Sequence, residues 1–276
     1  MKQSTINNLL VKKYQFYIKT FQVEENQFWI DISNRIQSPL VNYLELSHKI
    51  ENGKIYSGRV NIYYNSLNQL KLQNILNFIH SHIDISYNQG MLKTLNSLYL
   101  SKSPLFIYGI DLRQNIIKSR FKLYFLIRDQ ETILKLLDTH GHNDKMLSFF
   151  HEERVLVCVD FEFSGNVKLK IYSCFLLNGV NERQNREYLN KLVADPITKI
   201  LDECLIVDIS FSSSNFEPIF SFIPRPKASF LKYLPLPSQF EIVNQYYNKI
   251  NTPIHYITLH EKEIVNQNIT QGNLYY

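Results

Sequence analysis

The stretch Arg120-Phe121-Lys122-Leu123-Tyr124 decides the fold, because its side chains alternate between two characters. A basic residue, a second basic or polar residue and a tyrosine take every other position, with apolar residues between them. Arg59-Val60-Asn61-Ile62-Tyr63 and Lys168-Leu169-Lys170-Ile171-Tyr172 repeat the pattern. Since successive side chains of a strand point to opposite faces, each stretch predicts a strand with one cationic, tyrosine-edged face and one apolar face. Three such strands side by side would form a surface suited to a polyanion.

Each of these strands is the second member of a predicted strand pair. Asn52-Gly53 marks the turn of the first pair, since this dipeptide is a signal for a two-residue hairpin. The five predicted pairs are about 41–50 with 55–64, 104–112 with 119–128, 154–164 with 167–176, 205–212 with 217–223, and 254–260 with 272–276.

Stretches with helical period separate the pairs, at about 5–21, 26–36, 67–83 and 181–201, the last interrupted at Asp195-Pro196. The unit helix, helix, strand, strand thus recurs about five times. We therefore expect an α+β fold in which about ten antiparallel strands close into a barrel with a solvated lumen, surrounded by helices. A single domain over residues 1–276 is the simplest organisation.

Composition indicates what class of protein this is and in which compartment we expect it. A hydrophobic content of 45% predicts a folded chain with a sizeable core. The three cysteines have neither C-x-x-C spacing nor an even count, which favours a reduced, cytoplasmic protein. No apolar run of about 18 residues exists, so we expect no membrane partner. The net charge of +5 is compatible with a phosphorylated ligand or with nucleic acid and does not choose between them.

Acidic residues recur on the first strand of several pairs: Glu45, Asp111, Asp160, Glu162 and Asp208. Cations opposite carboxylates suit the transfer of an electrophile from a diphosphate to a nucleophile, because the cations neutralise the leaving group and a carboxylate takes the acceptor's proton. An acid facing a base on its hairpin partner is also an ordinary cross-strand ion pair, which is the commoner explanation for any single pair. The threefold recurrence favours a site.

Several segments of the chain carry a family resemblance through their order and spacing. With the repeated helix-helix-strand-strand unit, they resemble the ABBA-barrel aromatic prenyltransferases, and more closely the cyanobactin peptide prenyltransferases. The segments are Leu44-Glu45-Leu46-Ser47-His48-Lys49-Ile50-Glu51, Ser57-Gly58-Arg59, Tyr108-Gly109-Ile110-Asp111-Leu112-Arg113, Phe121-Lys122-Leu123, Val159-Asp160-Phe161-Glu162-Phe163-Ser164-Gly165, Lys170-Ile171-Tyr172 and Leu274-Tyr275-Tyr276.

The resemblance implies an enzyme that transfers an isoprenyl group from dimethylallyl diphosphate, with Mg²⁺, to a ribosomally made and often macrocyclic peptide. It implies Glu45 as the general base. It also implies a set of diphosphate-binding residues, namely Arg59, Lys122, Lys170 and Tyr172, with Tyr124 and Lys168 as neighbours. We expect a monomer.

The acceptor side departs from tyrosine-modifying relatives, in which aromatic residues would be expected. Glu162 and Asp208 stand at these positions here, and carboxylates suit a cationic acceptor. The predicted acceptor-binding residues are Asp160, Glu162 and Asp208. Arginine is therefore the favoured acceptor residue, with tyrosine or another aromatic side chain as the rival. Two alternatives of other classes stay open: a non-catalytic binder of isoprenyl phosphates and an RNA-binding module. Acids on the first strands disfavour RNA, because they would repel phosphates.

Overall fold

The computed structural model describes residues 41–65, 105–113, 116–127, 129–140, 144–150, 155–212, 215–225, 230–249 and 253–276. The strands in these residues are β1 (Val41–Glu51), β2 (Lys54–Asn65), β3 (Leu105–Arg113), β4 (Arg120–Ile127), β5 (Val155–Glu162), β6 (Val167–Leu176), β7 (Cys204–Ser212), β8 (Asn215–Pro224), β9 (Tyr256–His260) and β10 (Gln271–Tyr275). The α-helices span Gln130–His140, Asp144–Ser148, Glu182–Leu192, Asp195–Leu201, Gln239–Lys249 and Glu261–Val265. Short 3-10 helices span Ile116–Lys118 and Phe230–Tyr233.

The strands form a closed barrel in the order β1-β10-β9-β8-β7-β6-β5-β4-β3-β2. Strands that follow one another in sequence are therefore neighbours, and β10 closes on β1 in antiparallel register. This confirms the prediction of a closed barrel of about ten antiparallel strands in an α+β fold. The helices predicted at 5–21, 26–36 and 67–83 lie outside the described residues.

Two turns illustrate how the sequence sets the strand ends. Asn52 and Gly53 both have positive φ, at 51° and 70°, as a two-residue hairpin turn requires. The strand predicted to run to residue 164 instead ends at Glu162, because the Phe163 amide leaves the hairpin and donates to the Ser119 carbonyl at 2.9 Å. The chain then reverses through Gly165, whose φ is 90°.

The predicted interruption of the 181–201 helix is confirmed. Ala194 is extended between the helices Glu182–Leu192 and Asp195–Leu201, and Pro196 lies in the first turn of the second helix. Proline is tolerated there because the first helical amides have no partner within the helix. No helix among the described residues is both long and apolar enough to cross a membrane.

Residue contacts divide the chain into two compact units. The first takes in the chain up to Leu46, Ser57–Leu126 and Val157–Leu169, and the second takes in Ser47–Tyr56, Ile127–Leu156 and Lys170–Tyr276. The prediction of one domain over 1–276 stays a prediction. In the first unit the apolar faces of the strands are buried, through Val60, Ile62, Ile110, Leu112, Phe121, Leu123, Val157 and Val159.

In the second unit, the helix Gln239–Lys249 is held to β1 by a buried polar contact. The Tyr247 hydroxyl lies 2.7 Å from Nε2 of His48, and His48 Nδ1 lies 3.3 Å from the Tyr56 carbonyl. Burial lowers the pKa of His48 to about 4, so the ring is neutral, with Nδ1–H donating to the carbonyl and Nε2 accepting from the hydroxyl. The Tyr247 ring also stacks on Tyr276 at 3.9 Å.

Candidate active site

Asp111 on β3 lies at the centre of a cluster of cations in the first unit. Its Oδ2 lies 3.1 Å from Arg59 Nη1 on β2, 3.4 Å from Arg113 Nη2 on β3 and 3.8 Å from Lys122 Nζ on β4. The Asp111 side chain is fully buried, whereas the three cations keep between 9% and 24% of their side-chain surface exposed. The carboxylate is therefore more deeply buried than the three cations that contact it.

Electrostatics fixes the charge states in this cluster. Burial alone would raise the pKa of Asp111, but Arg59, Lys122 and Arg113 hold it well below its ordinary value. Burial alone would lower the pKa of Lys122, but Asp160 and Asp111 raise it above its ordinary value. Asp111 is thus ionised and Lys122 is protonated at neutral pH.

A second cluster adjoins the first through Arg120 on β4. Arg120 contacts two acids on β5, Asp160 at 3.2 Å and Glu162 at 3.0 Å, and Glu162 also lies 3.0 Å from Lys168 on β6. Burial raises the pKa of Glu162, and this is outweighed by the hydrogen bond from Lys168 and the charge of Arg120, so the net shift is downward. The acids predicted for the acceptor thus share contacts with cations, one of which, Lys168, was predicted to bind the diphosphate.

We call Arg59, Arg113, Arg120, Lys122 and Lys168 the cation band. Within the part of the chain that the structure describes, its five positive charges contact three carboxylates, those of Asp111, Asp160 and Glu162, so cations outnumber acids there. The Nε atoms of Arg113 and Arg120 are buried and have no hydrogen-bond partner among the described residues. Guanidinium donors in a partly buried, net positive cluster are the groups that bind phosphate oxygens most strongly.

Glu45, the predicted base, lies on β1 in the same unit. Its Oε1 accepts a hydrogen bond of 2.7 Å from Nδ2 of Asn61 on β2, and both side chains are buried. Asn61 is in register with Asp111 across β2 and β3, and Asp111 is in register with Arg120 across β3 and β4. Glu45 therefore adjoins the strands that carry the cation band.

Two tyrosine rings lie further along the same strands. Tyr63 is in register with Gly109, and Gly109 is in register with Lys122. A Cβ at Gly109 would lie 3.0 Å from two carbon atoms of the Tyr63 ring, so the ring covers the glycine. Tyr63 and Tyr124 have ring centroids 6.3 Å apart. Ring faces near a diphosphate site can stabilise an allylic cation.

The structure places three predicted site residues in the second unit. Lys170 and Tyr172 on β6 are in register with Ser212 and Ser210 on β7, and Asp208 is in register with Cys174. Burial raises the pKa of Asp208, which a hydrogen bond with Cys174 partly opposes. A raised pKa favours the neutral acid, so an ionised Asp208 would need a cation beside it. The roles predicted for these three residues remain predictions.

Sequence reasoning missed four residues of this arrangement: Asp111 as a hub, Arg113, Arg120 and Asn61. Arg120 and Asn61 stand inside the recurring five-residue pattern, which was the available signal. Arg113 follows Asp111 by two positions on one strand and so shares its face. That Arg59 also contacts Asp111 depends on the register between β2 and β3, which the sequence does not give.

Magnesium is implied by the family resemblance, and the described residues give it no ready site. They contain no group of three or more histidine, cysteine, aspartate or glutamate side chains placed to hold a metal ion. Lysine or arginine groups contact the carboxylates of Asp111, Asp160 and Glu162, where a metal would have to displace them. These carboxylates therefore do not fit a protein-held Mg²⁺.

Comparison with known proteins gives a family for the sequence. A protein-family model described as a family of unknown function (DUF5838) matches residues 38–276. The chain belongs to this family. No curated protein matches the chain. The closer resemblance to cyanobactin peptide prenyltransferases stays a prediction for this DUF5838 member.

Solved structures similar to this DUF5838 member are prenyltransferase barrels. NotF in complex with brevianamide F and DMSPP has a TM-score of 0.62 at 12% identity, with 95% of this chain and 91% of NotF covered. The 6-dimethylallyltryptophan synthase from Micromonospora olivasterospora, in complex with DMASPP and Trp, has a TM-score of 0.56 at 10% identity, with 98% and 96% covered. The 5-dimethylallyltryptophan synthase from Streptomyces coelicolor has a TM-score of 0.57 at 12% identity, with 99% and 95% covered. The barrel of this chain is thus the ABBA prenyltransferase fold.

Proposed function

We propose that the protein is a prenyltransferase that moves an isoprenyl group, dimethylallyl in the first instance, from its diphosphate to a nucleophilic side chain of a cyanobactin-like peptide. One observation carries the proposal: a partly buried cation band, in which cations outnumber acids among the described residues, shares the first unit with a buried glutamate. The fold supports it, since similar barrels are named as dimethylallyl-transferring enzymes. Composition alone would also allow a passive phosphate binder.

The cation band binds the isoprenyl diphosphate and stabilises the diphosphate as it leaves. As the bond between the allylic carbon and the diphosphate oxygen breaks, its electron pair leaves with the diphosphate, and Arg59, Lys122 and Arg120 stabilise the growing negative charge. Tyr63 and Tyr124 face the allylic cation with their rings. Tyr172, Lys170 and Lys168 are proposed as further diphosphate ligands, as the resemblance implies.

The acceptor half falls to Glu45. A guanidine nitrogen forms the new bond to the allylic carbon, and its proton passes to the Glu45 carboxylate as the bond forms. Asp160, Glu162 and Asp208 are proposed to favour a cationic acceptor, which makes arginine the first choice. Because Asp160 and Glu162 contact Arg120, a guanidinium acceptor would share these two carboxylates with that arginine.

An aromatic acceptor is the second candidate. The similar structures of NotF and the Micromonospora olivasterospora synthase are bound to brevianamide F and to Trp. An indole or phenol ring attacked by an allylic cation also loses a proton, so the same glutamate would serve. Tyrosine and tryptophan therefore belong in the test beside arginine.

Mass spectrometry of cyclic peptides separates these candidates. Peptides containing arginine, tyrosine or tryptophan are incubated with the protein and dimethylallyl or geranyl diphosphate. We expect the arginine peptide to gain an isoprenyl mass, and Glu45→Gln to lower the rate about 100-fold or more while diphosphate binding persists. Modification of the aromatic peptides alone would overturn the arginine assignment, and diphosphate binding with no transfer to any peptide would leave the passive binder.

A further inference from the structure

Asn61 differs from the rest of the recurring pattern, since the equivalent positions in the other two strands are Lys122 and Lys170. It is buried at 2% exposure on β2, between Glu45 and Asp111. At this position β2 therefore carries a neutral side chain that both donates and accepts hydrogen bonds, whereas the other two strands carry a lysine.

The orientation of the Asn61 amide follows from its neighbour. The amide nitrogen Nδ2 donates a hydrogen bond of 2.7 Å to Glu45 Oε1, so the nitrogen end of the amide faces the carboxyl group. The Asn61 carbonyl oxygen is then turned away from Glu45. Among the described residues it has no hydrogen-bond partner, although it is buried.

Asp111 presents a second buried acceptor of this kind. Its Oδ2 contacts the cations, but its Oδ1 has no partner among the described residues. Asn61 and Asp111 are directly opposite each other in the register of β2 and β3, so their side chains lie on one face, with Cα atoms about 5 Å apart. Two buried acceptors without donors are costly unless a ligand brings hydrogens to them.

We infer that Glu45, Asn61 and Asp111 form a subsite for an acceptor group rich in N–H donors, in which Asn61 both holds the Glu45 carboxylate and accepts a hydrogen bond from the substrate. A guanidinium fits this subsite, because it carries five N–H donors in one plane and has no acceptor of its own. This assignment rests on the proposed function and makes Asn61 the residue that selects the acceptor group of the substrate. Phosphate does not fit, because it brings further acceptors.

Binding measurements test the subsite without requiring turnover. The ligands are an arginine-containing cyclic peptide, the same peptide with leucine in place of arginine, and a thiolodiphosphate analogue of dimethylallyl diphosphate. We expect Asn61→Leu, a replacement of similar size, to weaken the arginine peptide about tenfold or more by calorimetry. Affinity for the leucine peptide and for the analogue should change less than twofold.

Kinetics tests the positioning of Glu45. If Asn61 acts through that carboxylate, Asn61→Leu lowers kcat in the wild type but costs little further in a Glu45→Gln background. Ser173→Ala is the matched control, since it removes a buried hydrogen bond to the Phe149 carbonyl in the second unit and should change neither binding nor kcat. Should the leucine variant not fold, Asn61→Thr runs the same comparison.

The outcomes of these experiments distinguish a failure of the subsite from a failure of the proposed prenyl transfer. Unchanged arginine-peptide affinity in the Asn61 variants, or a wild type that does not prefer the arginine peptide over the leucine peptide, overturns the subsite. Equal fractional losses from Asn61→Leu in both backgrounds overturn its action through Glu45. A wild type that binds the arginine peptide but transfers nothing to it contradicts the proposed function and leaves the subsite standing.

Discussion

At the scale of single residues, the Asp111 carboxylate explains how three cations can lie close together on β2, β3 and β4. Arg59, Arg113 and Lys122 would repel one another if they met without an anion, and the buried carboxylate offsets that repulsion. Removing one partner of a buried ion pair is costly because the remaining charges lose their compensation. Asp111 therefore holds three members of the cation band in place before any ligand binds.

Asp111→Asn should lower the free energy of unfolding at pH 7 by about 3 kcal/mol. Because the folded-state pKa of Asp111 is depressed, its contribution is present above the unfolded value of about 3.9 and is lost as the pH falls towards the folded value. The gap between wild type and variant should therefore narrow on acidification below about pH 4. Urea denaturation at several pH values measures it.

Glu131→Gln is the control for this prediction. It removes an exposed ion pair with Lys135, and such pairs contribute at most about 1 kcal/mol. An Asp111→Asn variant that is no less stable than Glu131→Gln would show that Asp111 does not compensate the cations.

Gly109→Ala tests the role of the Tyr63 ring. The added methyl group would lie 3.0 Å from the ring, which must move because side-chain atoms do not pack that closely. We expect the fold to persist and kcat to fall about tenfold through loss of cation stabilisation. In a Tyr63→Leu background the same substitution should cost little, and a full tenfold loss there would assign the effect to the backbone instead.

At the scale of elements, β4 is the strand that links the two clusters of the site. Lys122 contacts Asp111 on β3, and Arg120 contacts Asp160 and Glu162 on β5. The two residues share a face because they are two positions apart. Lys122 is nearly buried, whereas Lys168 at the β6 end keeps 36% of its side-chain surface exposed.

Burial along the band predicts a graded effect on donor binding. Lys122→Met should weaken the dimethylallyl thiolodiphosphate about 30-fold, because a cation shielded from water interacts more strongly with phosphate. Lys168→Met should weaken it about threefold. Calorimetry on both variants gives the ratio, and a larger loss for Lys168 would contradict the graded arrangement.

Strand pairs and turns were predictable from the sequence because they depend on local alternation. The pairs around Asn52-Gly53 and around β7 and β8 agree with the sequence to within about two residues. Contacts such as that of Arg59 with Asp111 were not predictable, because they depend on register between strands about 50 residues apart in the chain. The position of Glu45 was inferred, but its partner Asn61 was not.

At the scale of the whole molecule, the ion pairs distinguish this barrel from a set of independent hairpins. An acid facing a base on its own hairpin partner was the commonplace explanation of the pattern, and Lys168 with Glu162 is such a pair. Two arginine contacts are different, since Arg59 with Asp111 joins β2 to β3 and Arg120 with Asp160 joins β4 to β5. These contacts join successive hairpins, which requires that β2 lies beside β3 and β4 beside β5, as they do in the barrel.

A crystal structure with dimethylallyl thiolodiphosphate bound tests the central claim most directly. We predict that the diphosphate contacts Arg59, Arg120 and Lys122, with the allylic carbon between those cations and the Glu45 carboxylate. A diphosphate bound away from these side chains, or one whose allylic carbon points away from Glu45, would contradict the account.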